Sequence, residues 1–121
     1  MADLIRVDWY ATVFRQHAFA KALADVAPIA LRYGATRYEV HVSNDDRYKI
    51  YQATWMPSHD AWYSYWEGPE MIEFRARNSG RYQVPVVYAW MDEIAVGSLG
   101  PEAEERARPA EERWMSSPGP A

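Results

Sequence analysis

The sequence contains no cysteine among its 121 residues, which removes disulfides, thiolate nucleophiles and thiolate-bound metals at once. Histidine is nearly as scarce. His17, His41 and His59 fall in different segments with no His-x-x-x-His spacing, so no metal site is expected. The six glycines are scattered at 34, 68, 80, 97, 100 and 119, leaving no phosphate-cradling loop and no sequence reason for a nucleotide cofactor. No nucleophile-elbow sequence supports a Ser/His/Asp triad. A basic stripe is also missing: 13 Lys and Arg stand against 17 Asp and Glu, interspersed, for a net charge of −4, so nucleic acid is not an expected partner. No run approaches the ~20 apolar residues of a membrane span, and MADLIRVDWY lacks a signal pattern. No membrane association and a cytoplasmic location are therefore the expectation.

What remains is an apolar, strongly aromatic chain. Apolar residues make up 49% and charged ones 25%, the profile of one globular domain with a thin core. Six Trp and nine Tyr stand beside only three Phe. They concentrate in TWMPSHDAWYSYWEGPEM, residues 54–71, where Trp55, Trp62, Tyr63, Tyr65 and Trp66 crowd together.

Periodicity organises the rest. LIRVDWYATVF, residues 4–14, has the β-branched and aromatic content of a strand, with apolar residues on both parities. Phe19, Ala22, Leu23, Val26 and Ala30 recur at helical spacing, with His17, Lys21 and Asp25 opposite them. Pro28 predicts a kink, and Gly34 the stop. TRYEVHVS, residues 36–43, and RYKIYQATW, residues 47–55, form a hairpin over Asn44-Asp45-Asp46. Ser58 is a good N-cap for a helix starting at His59-Asp60, and Pro69 opens a second helical piece to about Asn78, closed by Gly80. Residues 82–94 read as a last strand, and Pro85 predicts that it lies at a sheet edge or carries a bulge.

The order β-α-β-β-α-β predicts an α+β, ferredoxin-like fold: a four-stranded antiparallel sheet with two helices on one face. Helices cover one side of such a sheet, yet the strands carry apolar residues on both. A second copy of the chain is the simplest cover, so a homodimer is expected.

The passage YQATWMPSHDAWYSYWEGPEMIEFR, the hairpin over Asn44-Asp45-Asp46 and the closing strand VPVVYAW resemble the dimeric α/β-barrel superfamily, and within it the antibiotic-biosynthesis-monooxygenase-like proteins. The resemblance spans residues 4 to about 96. It implies a dimeric barrel domain over residues 1–96, followed by a charged, Pro-containing tail over residues 97–121. Members of that superfamily include cofactor-free oxygenases, haem-degrading enzymes, isomerases and proteins of no known activity. The haem-degrading pattern uses a first-strand Asn, a Trp near the end of the third strand and a His on the second helix. Trp55 matches the Trp, but the first strand has no Asn, and Tyr63, Ser64 and Tyr65 stand where the His would fall. Haem ligation of that kind is unsupported, although Tyr ligates haem iron in other proteins, and no bound cofactor is expected.

Cofactor-independent monooxygenation of an apolar or aromatic small molecule is the activity the resemblance implies. Trp9, Trp55, Trp62, Tyr65 and Trp66 are the candidate ligand-binding walls, and Asp8, Tyr10, His41 and His59 the candidate acid–base groups. The competing reading is a non-catalytic dimeric interaction protein whose aromatics fill core and interface. In the tail, PEAEER and PAEER form a near-repeat, and Trp114-Met115 is an isolated apolar pair. Composition reads it as a solvated segment.

Overall fold

A computed structural model gives the fold of residues 2–99. The tail features from Gly100 onward, Trp114 and Met115 included, lie outside the described residues. The chain runs β1 (Asp3–Tyr10), α1 (Gln16–Val26), a 3-10 helix (Ala27–Tyr33), β2 (Arg37–Val42), β3 (Lys49–Met56), α2 (His59–Trp66), α3 (Pro69–Arg77) and β4 (Val87–Met91). The four strands form one antiparallel sheet in the order β2-β3-β1-β4. That is the ferredoxin-like order, as the sequence pattern predicts.

The side-chain alternation of β1 assigns the faces. Ile5, Val7 and Trp9 are buried under the helices, while Arg6, Asp8 and Tyr10 lie exposed on the opposite face. β3 alternates in register, sending Ile50, Gln52, Thr54 and Met56 inward. Phe19 and Leu23 of α1 pack onto this inner face fully buried, each contributing about 1.5–3 kcal/mol. Pro28 sits at the start of the 3-10 helix, so the kink expected there takes the form of a tighter helix. Gly34, with φ 98°, ends it in the left-handed region, where a side chain would be strained.

Two expected boundaries shift. The first strand stops at Tyr10 rather than running to Phe14, because the chain turns: Phe14 takes φ 65°, and the Arg15 N–H donates to the Thr12 carbonyl at 2.9 Å. The last strand pairs only over Val87–Met91, and Pro85 lies before it with no N–H to give. β4 is an edge strand, as expected from that proline. The hairpin turn is held by Ser43 Oγ, which accepts from the N–H groups of Asp45 and Asp46 at 3.2 Å. The helical stretch after β3 is interrupted at Gly68-Pro69, as expected. Ser58 Oγ caps α2 by accepting from Ala61 N–H at 3.1 Å, and Pro69 opens α3.

The open face of the sheet is mixed. Leu4, Tyr51, Ala53, Trp55, Ala89 and Met91 supply apolar surface. Arg6 bonds Asp8 at 2.8 Å and lies over the Tyr51 ring at 4.6 Å; Arg37 pairs with Glu39 and lies over Trp55 at 5.2 Å. No helix of the described residues is long and apolar enough to cross a membrane.

Candidate functional site

The layer between the sheet and the helices is built from aromatic rings. Trp9 is its centre, with ring centroids at 5.2 Å to Phe19, 5.6 Å to Trp66, 5.8 Å to Phe74 and 5.1 Å to Tyr82. On α2, Trp62, Tyr65 and Trp66 fall at helical spacing i, i+3, i+4 and turn one face toward the sheet. Trp62 stacks on Trp66 at 5.2 Å and meets Tyr65 at 5.4 Å, and Tyr88 of β4 closes the edge at 5.6–5.7 Å from both Trp rings.

A polar thread runs through these rings. The Trp9 Nε1–H donates to Gln52 Oε1 at 3.0 Å, and Gln52 Nε2 donates to the Tyr65 hydroxyl at 3.2 Å. All three side chains are buried. Burial pushes the Tyr65 phenol well above its ordinary range, while the Gln52 hydrogen bond and the nearby positive charge of Arg75 pull the other way. Tyr65 is therefore a neutral hydroxyl at physiological pH, not a base. Tyr33 packs on Tyr65 at 5.6 Å and donates its O–H to Glu70 Oε1 at 2.6 Å, holding that carboxyl below the usual carboxylate range.

Three further polar atoms in this region are buried without a hydrogen-bond partner among the described residues: Thr54 Oγ1, Trp62 Nε1 and Arg75 Nη1. Native structures keep few such atoms. The buried polar side chains of the described residues are Gln52, Thr54 and Asn78, so this interior offers hydrogen-bond donors and acceptors but no carboxylate or imidazole.

The structure divides the sequence candidates. Trp9, Trp62, Tyr65 and Trp66 are brought together in the interior. Trp55 is not: as the neighbour of inward Thr54 and Met56 it points to the open face, against Arg37. Asp8, Tyr10 and His41 share that open face and serve local contacts. Asp8 binds Arg6, Tyr10 donates to Asp46 at 2.7 Å, and His41 lies exposed, 3.7 Å from Glu39. His59 stands apart at the start of α2, stacked on Trp90 at 3.8 Å and 3.8 Å from Asp3. None of the four acid–base candidates meets the buried rings. Gln52, Thr54 and Arg75 escape a reading based on aromatic clustering. The alternation that places Ile50 and Met56 inward also places Gln52 and Thr54 there, and that was the signal available for the first two.

Two surface grooves accompany this interior. One, of about 390 Å3, lies between α1 and α3 over Ala22, Val26, Ile29 and Phe74, rimmed by charged residues of both signs. The other, of about 250 Å3, lies on the open face beside β4, between Arg6, Asp8 and Met91.

No family model matches the chain, and no curated protein matches it. Solved structures do. A proposed antibiotic biosynthesis monooxygenase from Nitrosomonas europaea superposes with a TM-score of 0.69 at 14% identity, covering 76% of this chain and 89% of that one. A second, from Bordetella bronchiseptica, gives 0.67 at 13% identity over 76% and 96% of the two chains. SnoaB, a cofactor-independent oxygenase from Streptomyces nogalater solved as a point mutant, gives 0.62 at 13% identity over 75% and 92%. The chain has the ferredoxin-like fold of the antibiotic-biosynthesis-monooxygenase-like proteins.

Proposed function

We propose that the chain acts as a homodimer, the second subunit covering the open sheet face, and that it binds an aromatic small molecule between sheet and helices and oxygenates it without a bound cofactor. One observation carries the reading: Trp62 Nε1, within the wall of rings, and Thr54 Oγ1, on the inward row of β3, are buried, polar and without hydrogen-bond partners among the described residues. An aromatic phenol or ketone supplies both the flat surface and the oxygen such groups lack. The rings already touch, so binding requires those at the margin, Trp66 and Tyr88, to turn outward.

The interior suits stabilisation of an oxyanion better than proton abstraction. With no buried carboxylate or imidazole, the bound phenol loses its proton to solvent, and an N–H or O–H donor holds the resulting phenolate. The electron-rich ring then reacts with dioxygen. A C–O bond forms at the ring carbon, the O–O bond breaks, and one quinone and one water leave for each dioxygen consumed. The cofactor-independent activity named for SnoaB, on the same fold, supports this chemistry.

The test is oxygen uptake by the purified chain with a panel of naphthols and anthracenols, with product mass measured. Wild type should consume one dioxygen per quinone, and Trp62→Phe, which keeps a ring but deletes the N–H, should lose about tenfold or more. No uptake above buffer with a folded protein would overturn the reading. A second reading has its own support: ring centroids 5.1–5.8 Å apart around Trp9 are what a filled, non-catalytic core looks like. Unchanged tryptophan fluorescence with every phenol in the panel would favour it.

A further inference from the structure

Arg75 borders the candidate site but has no part in the chemistry proposed above. It sits on α3 with its guanidinium carbon 4.3 Å from the Trp66 ring centroid, capping the Trp66–Trp62 stack. Its side chain is only 20% exposed. Nη1 is buried with no partner among the described residues, and Nη2 reaches only Glu67, at 3.7 Å, whose own side chain is 66% exposed. A guanidinium presents its donors as a flat fork, and leaving one tine desolvated and unpaired is costly. Trp66, which it covers, stacks on Trp62, and Trp62 meets Tyr65 at 5.4 Å, so the guanidinium lies near the polar thread. Tyr65 accepts from Gln52 and keeps its own O–H for another acceptor.

We infer that Arg75 is the specificity-determining residue of the proposed ligand site and selects aromatic anions, carboxylates or phenolates, over their neutral counterparts. The inference rests on the ligand-binding reading and sharpens it. The ligand ring lies against the edge of the Trp62–Trp66 stack, and its anionic oxygen accepts from Arg75 Nη1. A neutral amide of the same shape offers a weaker acceptor and leaves the cation unanswered.

The experiment compares 2-naphthoate with 2-naphthamide, isosteric and differing in charge, by calorimetry and tryptophan fluorescence at neutral pH. The full chain should bind the carboxylate about tenfold or more tightly than the amide. Arg75→Met keeps an apolar stem over Trp66 and should make the two affinities equal without weakening the amide. Arg75→Lys should restore part of the preference, a lysine being a point charge without the fork. Equal binding of both probes by wild type, or a preference that survives in Arg75→Met, overturns the inference and leaves ligand binding standing. Binding of neither probe, with naphthols of the oxygen-uptake panel still bound, overturns the inference alone; binding of none of these compounds overturns both. Should Arg75→Met fail to fold, the wild-type ratio and the Arg75→Lys ratio decide.

Discussion

Replacing Gln52 by Leu tests whether the polar thread holds the interior together. The substitution keeps the side chain's approximate volume and removes both of its hydrogen bonds, to Trp9 at 3.0 Å and to Tyr65 at 3.2 Å. The two losses are unequal. Trp9 Nε1 becomes a buried donor with no acceptor, worth about 1–3 kcal/mol, whereas Tyr65 loses a donor but keeps a hydroxyl able to donate elsewhere, worth about 1 kcal/mol. The added apolar side chain recovers part of this, so a net loss of about 2 kcal/mol is expected. At an m-value of roughly 2 kcal/mol/M in urea, the midpoint followed by circular dichroism should fall by about 1 M. The double variant Trp9→Phe with Gln52→Leu removes both ends of the first bond and should be less destabilised than the two single losses added together, by about 1 kcal/mol. A Gln52→Leu protein as stable as wild type, with no coupling to Trp9, would refute the view that this thread stabilises the core.

Two further expectations concern single contacts. Gly68→Ala would place a methyl 2.6 Å from the Tyr33 hydroxyl and 2.7 Å from the Ser64 carbonyl, so it should cost about 2 kcal/mol in urea denaturation and free Glu70 from Tyr33. The Tyr10–Asp46 bond should show in the pH dependence of stability. The Tyr10 bond holds the Asp46 carboxyl below its ordinary range, so its contribution is present above that range and is lost as pH falls through the lowered value. The same bond raises the Tyr10 phenol, so its contribution is present below the ordinary tyrosine range and fades in strong alkali. Both groups are exposed, so the effect is small, and Tyr10→Phe should flatten both flanks of the profile. Identical flanks in the two proteins would show that the bond does not persist in solution.

The fold was legible because local signals agreed with one another. Ser58, Pro69, Gly34 and the Asn44-Asp45-Asp46 turn each mark a boundary that the backbone adopts, and the alternation of β1 and β3 gives the inward faces. The lengths of β1 and β4 were less legible. Apolar content continues past Tyr10 and precedes Val87, but a positive φ at Phe14 and the missing N–H of Pro85 end the pairing. The candidate site was legible only by half. Aromatic density groups Trp55 with Trp62 because they are near in sequence, yet strand parity sends Trp55 to the other face. Asp8, Tyr10, His41 and His59 carry acid–base chemistry but do not face the buried rings, a matter of parity and helix rotation that residue type does not reveal. Arg75 gave no sign at all, because its burial depends on Trp66, a ring from another helix.

The aromatic wealth of residues 54–71 and the buried glutamine account for each other. A strand row Ile50, Gln52, Thr54, Met56 facing a core of Leu and Val would leave the Gln52 amide unsatisfied at both ends, a cost no packing gain would offset. Indole and phenol rings bring apolar area and a polar handle on one side chain, so Trp9 and Tyr65 close the amide while filling the space around it. Packing alone therefore explains Gln52, Trp9 and Tyr65 together. It does not explain Thr54 Oγ1, Trp62 Nε1 or Arg75 Nη1, because Val and Met would fill the volumes of Thr54 and Arg75, and Phe most of that of Trp62, without burying an unpaired polar atom. The groups the core does not need are the ones a ligand would use: Trp62 and Arg75 meet at the Trp62–Trp66 stack, and Thr54 faces the helices from β3.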